Sequence, residues 1–403
     1  MITYSYPNVA EGWMSFFIMK CNMSRFRNKK KIIRSVTVPQ SISFFEEVMI
    51  RLKDDGYEVV VVTSPGKELE EFKQRHYEEK TIEIPMERRI SLFKDIKSLW
   101  QMIRVMLKEK PYMVHSMTPK AGLLSMLSGW LTGVPVRIHT FTGLVWPTET
   151  GLKRKILMVT DWITCACATH VIPEGQGVLN DLKENRVCKK TMKVLGYGNV
   201  KGVDMERFNP ASFVDVKKDD CKFRFVFVGR IVGDKGVNEL VEAFIRLNKV
   251  YPETRLTLVG SYEANLDPVT PETLKAIAEH PNIEVCGPKY GDDLIVEYMK
   301  SNCFVLPSYR EGFPNTVMEA GAMGLPSVVT DINGSREIII NGENGIIVPS
   351  KDTGALYEAM KYMVQDTCAC HKMATKARPL IESRFEKSFV QECLIKFYEE
   401  ILN

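Results

Sequence analysis

The chain has 403 residues, 45% of them apolar and 26% charged, with a formal net charge of +4. That length exceeds one ordinary hydrophobic core and suits two domains, and the usage is that of a globular protein, neither disordered nor fibrous. The charge is too mild to point to nucleic acid, so basic residues matter only where they cluster.

Residues 1–30 precede the first regular pattern and read as an N-terminal extension, or as a start placed too early with Met23 the alternative. The run Trp13 to Met19 is too short to span a bilayer and lacks the basic flank and small-residue site of a signal peptide. Arg25, Arg27, Lys29, Lys30, Lys31 and Arg34 form one basic cluster and Lys153, Arg154 and Lys155 a smaller one. The commoner meaning of such clusters is a solvated surface; the functional one is contact with anionic lipid head groups.

From Lys31 onward short β-rich runs alternate with helical patterns, as in βαβ units around a parallel sheet. Strands are predicted at Ile32–Val38, Tyr57–Thr63, Thr81–Ile84, Met113–His115, Val136–Thr140 and His170–Ile172. Between them, Ser91–Lys108 carries Leu92, Phe93, Ile96, Leu99, Trp100, Ile103, Met106 and Leu107 at helical spacing, a stripe that reads as facing the core rather than a membrane. No run reaches the roughly 20 apolar residues of a spanning helix. The glycine-rich stretch from Gly196 to Pro210 marks a domain boundary, after which strands are predicted at Phe223–Val228, Arg255–Val259, Ile283–Cys286, Cys303–Leu306, Ser327–Val329 and Ile346–Val348. The expected fold class is α/β: two Rossmann-like, doubly wound parallel-sheet domains facing a cleft, with ligands beyond the carboxyl ends of the strands. Ten cysteines without a paired framework fit a reducing cytoplasm, and the one-residue spacing of Cys165 and Cys167, and of Cys368 and Cys370, is not that of a zinc knuckle, so no metal is expected.

Chemistry concentrates where strands end. In Val305-Leu-Pro-Ser-Tyr-Arg-Glu311-Gly312-Phe313-Pro314-Asn315-Thr316-Val-Met-Glu319, a strand passes through a loop into a helix that Pro314 opens. The free amides of Asn315 and Thr316 then suit an anion such as a diphosphate, and Glu311 and Glu319 can accept hydrogen bonds from vicinal hydroxyls at different depths along one ligand. Upstream, Phe225-Val-Phe-Val-Gly229-Arg230 delivers a cation to a strand end, and Lys235 opens the next helix. Two cations there can neutralise the charge growing on a departing diphosphate. In the first half, His139 follows a strand and is either a site residue or a core histidine.

The Glu311/Glu319 spacing, the embedded Gly312-Phe313-Pro314, the following Ala322 to Pro326 with Gly324, and Gly229-Arg230 with Lys235 together resemble glycosyltransferase family 4. That resemblance covers roughly Lys31 to the C-terminus and implies a GT-B fold and a retaining transfer of a sugar from a nucleotide sugar. It implies residues 31–199 as an acceptor-binding domain, 200–385 as the donor domain and 386–403 as a helix crossing back to the first. Glu311 is then the donor-sugar contact and Glu319 the ribose contact, Arg230 and Lys235 grip the diphosphate without a divalent ion, and His139 lies near the transferred sugar. Gly229, Gly312, Phe313, Asn315 and Thr316 complete the donor set, with Pro288 to Tyr290 against the base. The segments Thr118-Pro119-Lys120 and Pro85 to Ser91 are similar to the branch that builds capsular and other bacterial surface polysaccharides. They make Lys120 and Arg88 candidates for an acceptor's phosphate. Pro39-Gln-Ser41-Ile-Ser43 replaces the family's glycine-rich loop, so Ser41 is an acceptor-side candidate. The implied reaction joins a hexose or N-acetylhexosamine from a probable UDP-sugar to a lipid-diphosphate-linked sugar at the inner face of the cytoplasmic membrane. Two alternatives stand beside it: a nucleotide-sugar 2-epimerase of the same fold, and a non-catalytic carbohydrate-binding or assembly protein. A nicotinamide dehydrogenase is disfavoured because no G-x-G-x-x-G follows the first strand of either domain.

Overall fold

The computed structural model describes residues 31–87, 91–216, 222–263 and 267–402; the extension, its basic residues up to Lys30, and Arg88 lie outside them. The first sheet contains β1 (Lys31–Ser35), β2 (Glu58–Thr63), β3 (Lys80–Glu83), β4 (Met113–Met117), β5 (Val136–Phe141) and β6 (His170–Pro173) in the order β3-β2-β1-β4-β5-β6. Its helices are α1 (Glu46–Asp54), α2 (Lys67–Arg75), α3 (Leu92–Glu109), α4 (Pro119–Thr132), α5 (Gly151–Cys167) and α6 (Gln176–Glu184). The second sheet contains β7 (Phe223–Val228), β8 (Thr254–Val259), β9 (Ile283–Gly287), β10 (Cys303–Leu306), β11 (Ser327–Thr330) and β12 (Gly345–Val348) in the order β12-β11-β10-β7-β8-β9. Between and beyond these strands run α7 (Val237–Val250), α8 (Pro271–Glu279), α9 (Gly291–Met299), α10 (Asn315–Ala322), α11 (Ser335–Ile338), α12 (Thr353–Gln365), α13 (Thr367–Phe385) and α14 (Lys387–Leu402).

Both sheets are parallel, β1 joining β2 and β4, and β7 joining β8 and β10. Strands such as Glu58-Val-Val-Val-Val-Thr63 are apolar on both faces because helices cover both sides of a parallel sheet. Each strand order reverses at its centre, so in the second sheet the adjacent carboxyl ends of β7 and β10 form the switch point where ligands sit in such folds. Every predicted strand is present; β1 ends three residues early because Val36 to Val38 leads into a 3-10 turn at Pro39–Phe44.

By their contacts the described residues fall into two compact units. Those up to Phe141, with Leu152–Ile172 and Asn185–Lys193, form the first; Thr142–Gly151, Pro173–Glu184 and the chain from Val194 form the second. No helix among the described residues is long and apolar enough to cross a membrane.

Two expectations are corrected here. Arg34 is no surface cation: it is 1% exposed on β1, its guanidinium lies over the Phe45 ring, and its Nη1 is 2.6 Å from His115 Nδ1. Arginine can only donate, so His115 accepts at Nδ1 and donates from Nε2 to Thr140 Oγ1 at 2.7 Å. The α3 stripe faces the core only in part, through Met106 and the half-buried Leu99 and Ile103. The helix packs through Ser98, Met102 and Met106, while Phe93, Ile96, Trp100 and Leu107 are exposed. Helical spacing shows that an apolar face exists, not which of two adjoining faces meets the sheet.

Candidate active site

The second unit gathers the cations and acids of the sequence motifs at its switch point. β7 ends in Gly229, whose amide bonds Val259 O, and hands over to Arg230. A 3-10 turn, Gly233–Lys235, then breaks at Gly236, where φ is +70° and an added Cβ would lie 2.0 Å from Pro307 O. Only glycine satisfies both conditions, and the turn is thereby pressed onto the loop after β10. Ser308 Oγ and the Tyr309 amide both donate to Asp234 O, at 3.2 and 2.8 Å. The result brings Lys235 Nζ to 2.5 Å from Glu311 Oε1, with both side chains largely buried. Arg230 meets Glu263 at 3.2 Å and Asp234 at 4.0 Å, and Arg310 meets the same Asp234 at 3.4 Å. Each cation of the site thus holds a carboxylate.

Gly312 is the pivot of the loop. A Cβ there would sit 2.3 Å from Thr142 O, while Gly334, with φ +75°, abuts Gly312 O. Gly143, at φ +110°, closes from the first side, an added Cβ coming within 2.9 Å of Gly312 Cα. Three backbones therefore meet at distances that side chains forbid. Pro314 is the N-cap of α10, one position before the first helical turn the sequence suggested. The Asn315 and Thr316 amides head the helix with no internal carbonyl to bond, as at any helix start. Asn315 Oδ1 accepts from Asn199 Nδ2 at 3.2 Å. Asn199, at φ +64°, also accepts from the Lys201 and Gly202 amides, so its side chain fixes the approach of the 199–202 turn to α10.

Glu319, just over one turn into α10, accepts from Tyr298 Oη at 3.3 Å. Burial raises its pKa, while Lys201, Tyr298 and Arg207 pull it back. The Phe313 ring is buried edge-on to Phe385 at 5.3 Å, so this residue has only backbone to offer a ligand. Pro288 and Tyr290 stand exposed between β9 and α9, Tyr290 as the α9 N-cap.

Glu174 was not singled out, though it directly follows β6, where a ligand-facing residue is expected. Its carbonyl accepts from the Asn199 amide at 2.8 Å, and its side chain is buried. Burial pushes its carboxyl well above the usual carboxylate range, and Glu337 and Glu311 push the same way. Glu337 is compensated by the amides of Gln176, Gly177 and Gly334 at 2.5, 3.0 and 3.3 Å, and Glu311 by Lys235. Glu174 is the acid of this trio shown with neither a cation nor amide donors on its carboxylate, so burial and its two acidic neighbours act on it uncompensated.

Of the residues expected to hold the acceptor, Ser41, Lys120 and His139 sit in the first unit, and Arg88 lies outside the described residues. His139 lies within β5 with its ring on Gly122, its Nδ1 2.9 Å from Ser116 Oγ and its edge to Phe141; burial lowers its pKa to about 3. At 1% exposure it is a core histidine, and a role against ligand needs a side chain that reaches one. Thr142, three residues on, is the position from this strand end that meets the Glu311 loop. Lys120 pairs with Asp95 at 2.6 Å, tying α4 to α3, and Ser41 is buried in its 3-10 turn. Among the described residues no group of His, Cys, Asp and Glu is arranged to hold a metal.

A GT-B fold with an acid-and-cation switch point is the architecture of glycosyltransferases, and the chain matches them directly. Residues 43–198 match the glycosyl transferase 4-like domain and residues 209–379 the glycosyl transferases group 1 domain. The capsular polysaccharide biosynthesis glycosyltransferase CapM of Staphylococcus aureus is 33% identical over 383 residues, covering 93% of this chain and 98% of CapM. A UDP-Gal:alpha-D-GlcNAc-diphosphoundecaprenol alpha-1,3-galactosyltransferase of Escherichia coli is 30% identical over 69% of this chain and 73% of its own length. Among solved structures, Anabaena Alr3699/HepE in complex with UDP and glucose superposes with a TM-score of 0.74 at 14% identity, over 92% of this chain and all of that one. The chain belongs to the glycosyltransferases of this family and is a glycosyltransferase enzyme.

Proposed function

We propose that the protein transfers a hexose or N-acetylhexosamine, with retention, from a UDP-sugar to a lipid-diphosphate-linked sugar in the assembly of a surface polysaccharide. The observation that carries the reading is the Lys235–Glu311 pair with Arg230 nearby at the carboxyl ends of β7 and β10, Glu311 lying in the loop that leads into α10. A diphosphate placed at those amides replaces Glu311 and Glu263 as partner of the two cations, which frees Glu311 for hydroxyls of the donor sugar and leaves Glu319 for the ribose. As the anomeric C–O bond to the diphosphate breaks, the electron pair goes to the leaving oxygen, and Arg230, Lys235 and the amides hold that charge without a divalent ion. The acceptor hydroxyl then attacks from the same face and passes its proton to the leaving phosphate oxygen. The acceptor class is supported by CapM and by the E. coli relative, whose printed substrate is a diphosphoundecaprenol-linked sugar. A lipid-linked acceptor in turn places the reaction at the inner face of the cytoplasmic membrane.

The test is a thermal-shift series with UDP-galactose, UDP-N-acetylglucosamine and GDP-mannose. A UDP-sugar at a hundred times its dissociation constant stabilises by about 2.7 kcal/mol, and the Arg230→Ala protein should show none of that shift. Transfer at the wild-type rate by Arg230→Ala and Glu311→Ala proteins would overturn the assignment. Isomerised sugar from donor alone would select the epimerase.

A further inference from the structure

Two helices of the first unit carry apolar stripes that the described residues leave uncovered. On α3, Phe93, Ile96, Trp100 and Leu107 are 91, 65, 50 and 42% exposed, and half-buried Ile103 continues the row. On α5, Leu152, Ile156, Val159 and Trp162 repeat that spacing and are 74, 42, 54 and 50% exposed. Residues 151–160, the first half of α5, include no fully buried one; Arg154, Leu157, Met158 and Thr160 are half-buried and the others are exposed. The connections from β3 to β4, β5 and β6 all step the same way across the sheet. Right-handed crossovers therefore put α3, α4 and α5 on one side of it, and Leu131 near the end of α4 is exposed as well.

The exposed charge beside these stripes is mainly positive. Lys94, Lys97, Arg104 and Lys108 flank the α3 stripe, and Lys153, Arg154 and Lys155 the start of the α5 stripe. The acids of α3 are already engaged, Asp95 with Lys120 and Glu109 with Lys31 and Lys80, and the single acid of α5, Asp161, is buried. Lys97, Lys108 and Lys155 have no acidic partner among the described residues, and the Arg104 guanidinium lies over the Trp100 ring. A self-associating face would bring these cations against themselves, since the same patch meets itself across a two-fold axis. An anionic bilayer satisfies both properties at once: acyl chains take the apolar rows, head-group phosphates take the cations, and tryptophan favours the boundary between them.

We propose that the α3 and α5 face is the surface on which this glycosyltransferase lies on an anionic lipid bilayer, with Trp100 and Trp162 entering the head-group layer. The inference shares with the proposed function the premise of a membrane-held acceptor, and lipid binding is measured apart from donor binding so that each can fail alone. The full chain is sedimented with phosphatidylglycerol vesicles and with phosphatidylcholine vesicles. Binding is expected to the former, weakening as salt rises, and falling about tenfold or more in Trp100→Glu/Trp162→Glu as two interfacial anchors become charges. That variant should keep the wild-type melting temperature and the wild-type thermal shift with UDP-galactose. The proposal is overturned if the wild type sediments with neither vesicle, if the variant binds phosphatidylglycerol as the wild type does, or if the substitutions convert a dimer to a monomer. A wild type that binds vesicles but shows no shift with any UDP-sugar leaves the lipid surface standing and removes the donor reading.

Discussion

Lys235 Nζ lies 2.5 Å from Glu311 Oε1, so the two residues expected to grip adjoining parts of a donor, its diphosphate and its sugar, grip each other in the free protein. The pair is largely buried, and each member keeps the other's charge compensated until ligand arrives. Removing either one therefore does two things: it deletes a donor contact and leaves its partner uncompensated beside the diphosphate site.

The first prediction follows from that coupling. Lys235→Ala and Glu311→Gln should each lower kcat by roughly two to three orders of magnitude, the range for a preorganised electrostatic contact. The double variant should be little worse than the poorer single one, because residues acting as a unit do not add. Single-turnover rates for the four proteins close the cycle; strict additivity would mean that the pair does not act together.

Gly312 gives the second. Its missing side chain lets Thr142 O come within 2.3 Å of where a Cβ would be, with backbone, not a flexible side chain, as the obstacle. Gly312→Ala should displace the Glu311 loop, costing about 1–3 kcal/mol of stability and abolishing the thermal shift with UDP-sugars. Gly342→Ala is the control for backbone entropy: it too has positive φ, but nothing stands within 4 Å of its added methyl. It should leave the shift with UDP-sugars intact.

Much of this was legible in the sequence for identifiable reasons. The buried parallel strands are runs rich in valine and phenylalanine, so Glu58–Thr63 and Phe223–Val228 announce themselves, and the acids and cations of the switch point follow such runs. What failed was the direction in which a side chain faces. His139 and Thr142 are three residues apart at one strand end, yet one is interior and the other meets the Glu311 loop; of the α3 stripe, Met106 is buried while Phe93, Ile96, Trp100 and Leu107 face solvent although the period suits a core. Both outcomes depend on what packs opposite, which a linear pattern does not contain. Glu174 was hidden differently, since a lone acid after a strand gains meaning only from Glu311 and Glu337 beside it, 137 and 163 positions away.

The core assignment of His139 makes the third prediction. Gly122→Ala would drive a methyl to 2.3 Å from the His139 ring, an overpacking that costs about 1–3 kcal/mol. His139→Ala should likewise lower the melting temperature. At a temperature where both variants remain folded, kcat should stay within a few-fold of wild type, whereas a catalytic imidazole contributes about 10²–10⁴-fold. A loss of that size in His139→Ala without a fall in melting temperature would return the residue to the active site.

Glu174 supplies the last, through the pH dependence of stability. Its carboxyl is raised well above 4.5 in the folded chain by burial first and by Glu337 and Glu311 next, so the folded state holds a proton that the unfolded state has released. Between the unfolded value and the folded one the native state binds more protons, and stability falls as pH rises through that window. Glu174→Gln keeps the size and a donor group but cannot ionise, so its own contribution is flat. The variant should therefore gain on the wild type as pH is raised above the unfolded value of 4.5 and through the folded one. Donor binding sharpens the test. A diphosphate near Glu174 adds negative charge and raises its pKa further, so wild-type affinity for UDP-sugars should decline with rising pH more steeply than that of Glu174→Gln. Parallel pH profiles of melting temperature for the two proteins would show that the Glu174 carboxyl titrates alike in the folded and unfolded chain, which removes the assignment.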